Sequence, residues 1–248
     1  MKFVFVIPVY NEGAQIEVLA ETLVPYLQKH VGSSVLIVDN GSVDDTWKRL
    51  LALIERYPQL VAGHRVAEKG QGRAFRQAME LLSKQNHSAE TRIVFSAADL
   101  PFGFSDVECV SGQRLQADLV IGSKAHPKSS SQRGLTRHMM SFFYRLIRRT
   151  LLGMKTRDPQ GSLIFQARWL KLFDLATATD FFFTTQLVYF MEQAGAHIVE
   201  VPVVTQLDRR PSRVRALRDG GRVLVQILRF AQVHGRLNGK ARHEMLPP

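Results

Sequence analysis

The chain has 248 residues, of which 45% are hydrophobic and 22% are charged, a composition typical of a folded globular protein. The net charge of +11 fits either a solvated basic face or a surface that binds an anionic partner such as a nucleic acid, a phospholipid surface or a phosphate substrate. A single cysteine, Cys109, excludes an internal disulfide and fits a reducing compartment. No apolar run has the length of a signal peptide or of a membrane-spanning helix.

Short apolar runs alternate with amphipathic segments through the first half of the chain. The predicted strands are Phe3–Val9, Ser34–Val38, Leu60–Val66 and Ile93–Phe95. The predicted helices between them are Gly13–His30, Thr46–Tyr57 and Gly72–Ser83. Continuous apolar strands that alternate with helices indicate an α/β fold, with a mostly parallel sheet that helices bury on both faces.

The second half of the chain is less regular. Its predicted strands are Ala117–Gly122, Ser162–Phe165 and His197–Val204, and its predicted helices are Leu135–Leu152, Thr184–Ala194 and Val214–Val233. Ten basic residues against two acids follow position 208. We therefore predict one main domain over residues 1–208 and a basic C-terminal helical extension over residues 209–248.

Polar or glycine-rich residues follow each of the first four predicted strands. Ligands of an open parallel sheet bind beyond the carboxyl ends of its strands, so these residues are candidates for a binding site. Each also has a structural explanation: Asn11 can cap the following helix, Asn40 and Gly41 can form a turn, and two glycines often precede a helix. Their order and their shared position at strand ends favour a function.

Several motifs resemble those of a known family. The segments "IPVYNE", "IVDNGSVDDT" and "KGQGRA", followed by a strand that ends near Asp99, resemble glycosyltransferase family 2, whose members have the GT-A fold. "LVIGSKAH", "RDPQGSLIF" and "VEVPVV" resemble the polyprenyl-phosphate sugar synthases of that family, such as dolichyl-phosphate mannose synthase. The resemblance covers roughly residues 3 to 215.

The resemblance implies a site for a nucleotide-sugar donor. Pro8, Tyr10, Glu12 and Asp39 match family positions that hold the base and the ribose. Asp39 can accept a hydrogen bond from a base N–H or a ribose hydroxyl. The other candidate donor-binding residues, from the neighbouring strand ends, are Asn40, Lys69 and Arg73.

The resemblance also implies a divalent metal, Mg²⁺ or Mn²⁺, on the donor diphosphate. Asp99 matches the last carboxylate of the family's Asp-x-Asp motif, whereas Ala97 replaces the first and Pro101 replaces a glutamine. Mg²⁺ often takes only one or two protein carboxylates and completes its shell with phosphates and water. Asp99 is therefore the predicted metal ligand, and binding should be weak without nucleotide.

Basic residues of the second half match the family's acceptor and diphosphate positions. The residues that the resemblance implies as catalytic, besides Asp99, are Lys124, Arg137, Ser141, Arg209 and Arg213. An acceptor phosphate is already a nucleophile, and the cations offset its repulsion from the donor diphosphate. A surface charge is the simpler interpretation of the remaining arginines Arg148, Arg149, Arg236 and Arg242.

The predicted helix Leu135–Leu152 combines aromatic and basic residues. It can lie in a membrane interface, or it can be a core helix with a solvated basic side. The resemblance, together with this helix, implies an inverting glycosyltransferase that moves a sugar from a UDP- or GDP-sugar to a lipid phosphate, bound peripherally at the cytoplasmic face of the membrane.

Two alternatives stay open. The loss of carboxylate at Ala97 and of glutamine at Pro101 fits a nucleotide-sugar-binding pseudoenzyme. The net charge alone fits a nucleic-acid-binding protein. The latter is the weaker alternative because the basic residues lack an interleaved pattern of aromatic side chains for stacking on bases, and we expect no nucleic-acid partner.

Overall fold

A computed structural model describes residues 1–112, 116–130, 135–204 and 216–234. The strands of the described residues are β1 Lys2–Val9, β2 Ser34–Asn40, β3 Val61–Val66, β4 Thr91–Phe95, β5 Leu119–Ser123, β6 Ser162–Gln166 and β7 Ile198–Pro202. The helices are α1 Gly13–Lys29, α2 Thr46–Arg56, α3 Gln71–Ser83, α4 Ser105–Gly112, α5 Leu135–Leu152, α6 Phe182–Gln193 and α7 Ala216–His234, with a 3₁₀ helix at Ala167–Asp174.

The strands form one sheet in the order β3-β2-β1-β4-β6-β5-β7. Strand β1 pairs in parallel with β2 and β4, β2 pairs in parallel with β3, and β5 pairs in parallel with β7. Strand β6 runs antiparallel between β4 and β5. The predicted α/β fold with a mostly parallel sheet is confirmed.

Both faces of the sheet are buried, which explains the continuous apolar runs. Along β1, Val4 and Val6 belong to one core cluster, which includes side chains of α3, α6 and α7. Phe3, Phe5 and Ile7 belong to the other cluster, which includes side chains of α1, α2 and α4. Successive side chains of a strand point to opposite faces, so a strand between two helical layers must be apolar throughout.

Helix α4 and the 3₁₀ helix were not predicted. Each has eight residues, which is little more than two turns and too short for a helical period to stand out in the sequence. Their buried apolar side chains are few: Val107 and Val110 in α4, and Trp169, Leu170 and Leu172 in the 3₁₀ helix.

Helix α7 packs into the larger core cluster. Phe230 is buried, with its ring centroid 5.7 Å from that of Phe182, 5.1 Å from that of Tyr189 and 5.8 Å from that of Phe190. The Tyr189 hydroxyl also donates to the carbonyl of His234 at 2.5 Å. Residues 216–234 of the predicted extension therefore share the core of the sheet. Among the described helices, none has the length and hydropathy needed to cross a membrane.

The packing of Phe230 predicts that α7 contributes to folding stability. Phe230→Ala leaves a cavity among three aromatic rings, and we expect it to lower the free energy of unfolding by about 3–5 kcal/mol. Urea denaturation followed by circular dichroism measures this. The control is Leu228→Ala on the exposed side of the same helix, which should change stability by less than about 1 kcal/mol. Equal effects of the two variants would mean that α7 is not part of the cooperative core.

Candidate functional site

The carboxyl ends of four parallel strands meet at one edge of the sheet. Val9 of β1 lies beside Asp39 of β2, and Asp39 lies beside Arg65 of β3. Strand β4, which precedes Asp99, pairs with the other side of β1. Two strand spacings separate β2 from β4, or about 10 Å. Asp39 and Asp99 therefore follow strands on either side of the segment that carries Pro8 and Tyr10.

Hydrogen bonds join the loop after β1 to the loop after β2. The backbone N–H of Asn11 donates to Ser42 Oγ at 2.9 Å, and the Asn11 side-chain oxygen accepts from the N–H of Val43 at 3.0 Å. The N–H of Glu12 donates to Thr46 Oγ1 at 2.9 Å. The interpretation of Asn11 as the cap of α1 is wrong: Glu12 is the cap residue, and Asn11, with a φ of 51°, ties the two loops together.

Asp39 is fully buried at the end of β2. Its Oδ1 accepts a hydrogen bond from the N–H of Ser42 at 3.0 Å. Its Oδ2 lies 3.2 Å from Nε of the half-exposed Arg65, a contact between charges without the geometry of a hydrogen bond. Because buried carboxylate oxygens normally accept hydrogen bonds, Oδ2 is a position for an N–H or O–H donor from a ligand.

The loop before α3 lies against the ends of β1 and β2. The Lys69 ammonium is 3.8 Å from the centroid of the Tyr10 ring, a cation–π contact. The N–H of Gly70 donates to Asn40 Oδ1 at 2.7 Å. The structure thus brings together Tyr10, Asn40 and Lys69, three of the predicted donor-binding residues, whereas Arg73 forms an ion pair with Glu68.

The second glycine of the segment "KGQGRA", Gly72 in the first turn of α3, has a packing role. The N–H of Gly72 donates to the carbonyl of Thr179 at 3.0 Å. A Cβ at this position would lie 2.7 Å from the carbonyl oxygen of Asp180, which no side chain tolerates. Residues 178–180 approach the first turn of α3 so closely that glycine is required in this segment.

Asp99 lies in the loop between β4 and α4 and is half-buried. Leu100, next to it, has a φ of 41°, so the loop turns sharply here. Helix α4 then anchors the loop: the buried Asp106 accepts from the N–H of Val107 at 2.9 Å and from the Ser162 hydroxyl. Burial raises the pKa of the Asp106 carboxyl. Among the described residues, no three His, Cys, Asp or Glu side chains are grouped as metal ligands.

A cavity of about 750 Å³ lies between the segment after β5 and helix α5. It brings together Lys124 and Ser141, two of the predicted acceptor residues. The Lys124 ammonium is 5.1 Å from the ring centroid of Phe102, which connects this cavity to the loop of Asp99. The other lining residues are Ala125, His126, Pro127, Ser129, Met139, Phe142, Phe143 and Arg145.

The structure describes less of the other basic residues that were predicted to bind the acceptor phosphate or the diphosphate. Arg137 lies on α5, four residues before Ser141 and therefore on the same side of the helix. Its side chain is outside the part of the chain that the structure describes, as are Arg209 and Arg213 with the surface arginines Arg236 and Arg242. Arg149 is exposed on α5.

The prediction that Arg148 is a surface charge is wrong, because its side chain is only 1% exposed. Its guanidinium donates to the carbonyls of Thr156 at 3.3 Å and Arg157 at 3.0 Å, and lies 4.6 Å from the Tyr144 ring centroid. Burial lowers the pKa of Arg148. In the sequence, a basic residue in an amphipathic helix suggests solvent exposure. The carbonyl groups that bind Arg148 belong to residues 153–161, and they come near the helix only in the folded protein.

The loop that Arg148 holds reaches the cavity between the segment after β5 and α5 through Asp158. Asp158 Oδ2 accepts from the N–H of Lys124 at 2.8 Å, and the N–H groups of Arg157 and Asp158 donate to Glu200 at 3.1 and 2.9 Å. Sequence reasoning missed Asp158, although it lies in the segment "RDPQGSLIF" that carries the family resemblance. Its position in that segment is the feature of the sequence that could have identified it as a candidate site residue.

Comparisons with known proteins show the family and the fold. The profile of Glycosyl transferase family 2 matches residues 4–167. The undecaprenyl-phosphate mannosyltransferase of Micrococcus luteus is 27% identical over 208 residues, which cover 82% of this chain and 83% of that protein. Crystal structures of glucosyl-3-phosphoglycerate synthase from Mycobacterium tuberculosis share the fold.

Two of these crystal structures illustrate the similarity. The complex with Mn²⁺, UDP-glucose and phosphoglyceric acid superposes with a TM-score of 0.66 at 18% identity, covering 93% of this chain and 79% of that chain. The complex with UDP gives 0.62 at 20% identity, covering 94% and 79%.

The fold and the strand-end site define a GT-A protein, a class in which a mostly parallel sheet presents its carboxyl edge to the ligand. The family profile covers well over half of the sequence, and the chain belongs to glycosyltransferase family 2. The protein is thus a glycosyltransferase. This finding favours the main prediction from the sequence over the alternative of a nucleic-acid-binding protein.

The buried guanidinium predicts a large difference between two neighbouring arginines. Lysine cannot reproduce the two-armed contact of Arg148 with two carbonyls, so Arg148→Lys should lower the free energy of unfolding by about 2–4 kcal/mol. Arg149→Lys, one residue along and exposed, should stay within about 0.5 kcal/mol of the wild type. Thermal and urea unfolding of the two variants check this, and similar values for both would contradict the burial of Arg148.

Proposed function

We propose that the protein transfers a sugar from a UDP- or GDP-sugar to the phosphate of a polyprenyl-phosphate-type lipid, with inversion at the anomeric carbon. The observation that carries this proposal is the cavity between the segment after β5 and α5. It combines cationic and hydroxyl groups with exposed aromatic side chains, and Lys124 connects it to the loop of Asp99 at the edge of the sheet.

The donor nucleotide would occupy the ends of β1 and β2. The Asp39 Oδ2 atom, buried and without a hydrogen bond, accepts an N–H of the base. Uracil and guanine each present an N–H beside a carbonyl, so this contact fits UDP- and GDP-sugars alike. Tyr10 and Glu12 follow β1 on the joined loops and would face the nucleoside, and Pro8 is the penultimate residue of β1. Asn40 and Lys69 hold the loop before α3, and Arg73 contributes a further cation beside it.

Asp99 would hold a divalent metal on the donor diphosphate. One half-buried carboxylate fits such an ion only when diphosphate oxygens and water complete its shell, because the described residues offer no cluster of ligands. A divalent ion held there would supply positive charge against the leaving diphosphate. The M. tuberculosis structures that contain Mn²⁺ with UDP-glucose support this type of ion.

The reaction is a single in-line displacement. An oxygen of the acceptor phosphate forms a bond to the anomeric carbon, the bond from that carbon to the diphosphate oxygen breaks, and its electron pair leaves with the nucleoside diphosphate. The acceptor phosphate is already ionised at neutral pH, so the step needs no general base. Lys124, Arg137 and Ser141 hold the acceptor phosphate, and Arg209 and Arg213 offset the charge of the leaving group.

A lipid acceptor is favoured over a small soluble phosphate ester. Met139, Phe142 and Phe143 line the cavity and are more than half exposed, so they offer apolar surface to a hydrocarbon chain. A phosphoglycerate has no apolar part that would bury these side chains. The M. luteus relative is named for transfer to undecaprenyl phosphate, which supports the same class of acceptor.

Purified protein with Mg²⁺ should transfer radiolabelled sugar from a UDP- or GDP-sugar to undecaprenyl phosphate. Transfer should stop on chelation, and phosphoglycerate should not serve as acceptor. Asp39→Asn should weaken nucleotide binding about 10- to 100-fold, because a hydrogen bond to a charged group is lost. Asp45→Asn, exposed and paired with Arg49, is the matched control.

The melting temperature of Asp39→Asn separates a lost contact from lost folding. Transfer to phosphoglycerate alone would overturn the proposal of a lipid acceptor. Transfer that is unchanged in the absence of any divalent metal would overturn the proposal of a metal at Asp99.

Helices α5 and α7 suggest how the protein meets the membrane. On α5 the exposed side chains Met139, Phe142, Phe143 and Leu146 recur at intervals of three and four residues and so share one side of the helix. Helix α7 packs against α5 and exposes Leu224, Val225 and Leu228. Exposed apolar side chains on a basic helix are typical of peripheral attachment to anionic lipid, here at the cytoplasmic face.

Flotation with vesicles tests this attachment. The wild type should float with vesicles of phosphatidylglycerol, less with phosphatidylcholine, and progressively less as salt increases. Leu146→Ser combined with Leu228→Ser should weaken binding at least about tenfold through the loss of apolar burial. Val31→Ser, 87% exposed in the turn before β2, is the control and should float like the wild type. A wild type that never floats would contradict membrane attachment.

A further inference from the structure

We infer that Arg145 binds the phosphate of the acceptor together with Ser141 and Lys124, and so makes the cavity select a phosphorylated chain over the corresponding alcohol. This inference rests on the proposed function, because it concerns the acceptor site. It names a residue to which the sequence motifs assign no role.

The position of Arg145 on α5 supports this contact. Arg145 follows Ser141 by four residues in a continuous helix, so the two side chains are neighbours on one side of it. Both line the same cavity as Lys124. Phe142 and Phe143, between them in sequence, line it as well. One stretch of helix therefore offers a hydroxyl, a guanidinium and two aromatic rings to a single ligand.

The charge of the cavity lining favours an anion. Lys124 and Arg145 contribute positive charge and His126 adds an imidazole, whereas no Asp or Glu is among the described lining residues. The ion pairs formed between described arginines and carboxylates involve Arg49, Arg56, Arg65, Arg73 and Arg168, and not Arg145. Within the described part of the chain, therefore, no carboxylate competes with a ligand for the guanidinium of Arg145.

The guanidinium of Arg145 is also incompletely hydrogen-bonded. Its Nε is buried and has no hydrogen-bond partner among the described residues. A buried N–H without a partner is unfavourable, and a phosphate oxygen is an acceptor that matches the fork of a guanidinium. Binding of a phosphate would satisfy this group at the point where the cavity already supplies positive charge.

The two arginines that follow Arg145 on α5 have different surroundings. Arg148 is buried and donates to the carbonyls of Thr156 and Arg157, so it serves the fold. Arg149 is exposed and does not line the cavity. Arg149 therefore provides a matched control: it has the same charge on the same helix, and its loss changes the net charge equally.

Direct binding tests the inference without any need for turnover. Farnesyl phosphate, a short and soluble chain, is titrated into the protein by calorimetry at submicellar concentration, with farnesol as the uncharged comparison. The wild type should bind the phosphate at least about tenfold more tightly than the alcohol, and Arg145→Ala should weaken phosphate binding about 10- to 100-fold with little effect on the alcohol. Arg149→Ala should remain within about twofold of the wild type.

The same variants in the transfer assay give a second readout. Arg145→Ala should raise KM for farnesyl phosphate and leave nucleotide-sugar affinity unchanged, and Arg145→Lys should recover part of the loss because it restores charge without the fork. Equal losses in Arg145→Ala and Arg149→Ala, or equal weakening of phosphate and alcohol, would overturn the role of Arg145. A wild type that binds farnesyl phosphate through Arg145 but transfers no sugar would instead contradict the proposed reaction alone.

Discussion

Parallel pairing of β1 with β2 and β4 is the constraint on which the rest of the site depends. Parallel strands end at the same edge, so the segments after β1, β2 and β4 must meet there. Tyr10, Asp39 and Asp99 are separated by dozens of residues along the chain and become neighbours only through this pairing. Hydrogen bonds between Asn11 and the loop after β2 then hold the edge in one conformation.

The antiparallel strand β6 lies between β4, which leads to Asp99, and β5, which leads to Lys124. It places Ser162 next to Gly122 of β5, where Ser162 also reaches Asp106 of α4. Helix α4 follows the loop of Asp99, and β5 leads into Lys124. The loop of Asp99 and the segment of Lys124 are therefore both connected to β5 and β6, through α4 in the first case and directly in the second.

Positive charge has three distinct uses on helix α5. Arg148 is buried and holds a neighbouring loop through the carbonyls of that loop, at the cost of burying a cation. Arg145 lies in the cavity and Arg149 faces solvent. A count of charges along the helix treats these residues alike. Their burial and their hydrogen-bond partners, which depend on what packs against the helix, separate them.

The sequence by itself determined the α/β class and most of the elements. Continuous apolar runs such as Phe3–Val9 predict strands buried on both faces, and helix α5 begins and ends where its pattern predicts, at Leu135 and Leu152. Motif order was enough to identify the family and to mark Tyr10, Asp39 and Lys124, because such motifs are local in the chain. Short elements such as α4 lack a full helical period and could not be found this way.

Tertiary structure decided the roles that depend on distant partners. Arg148 looks like a surface residue until residues 153–161 fold over it, and Asn11 looks like a helix cap until Val43 is placed beside it. The cavity that joins Lys124, Ser141 and Arg145 forms between two segments whose approach no local pattern encodes. Hydrogen bonds and burial depend on which segments lie close together in the folded protein. The sequence therefore gives candidate residues, and the folded structure shows which of them are buried, hydrogen-bonded or part of the cavity.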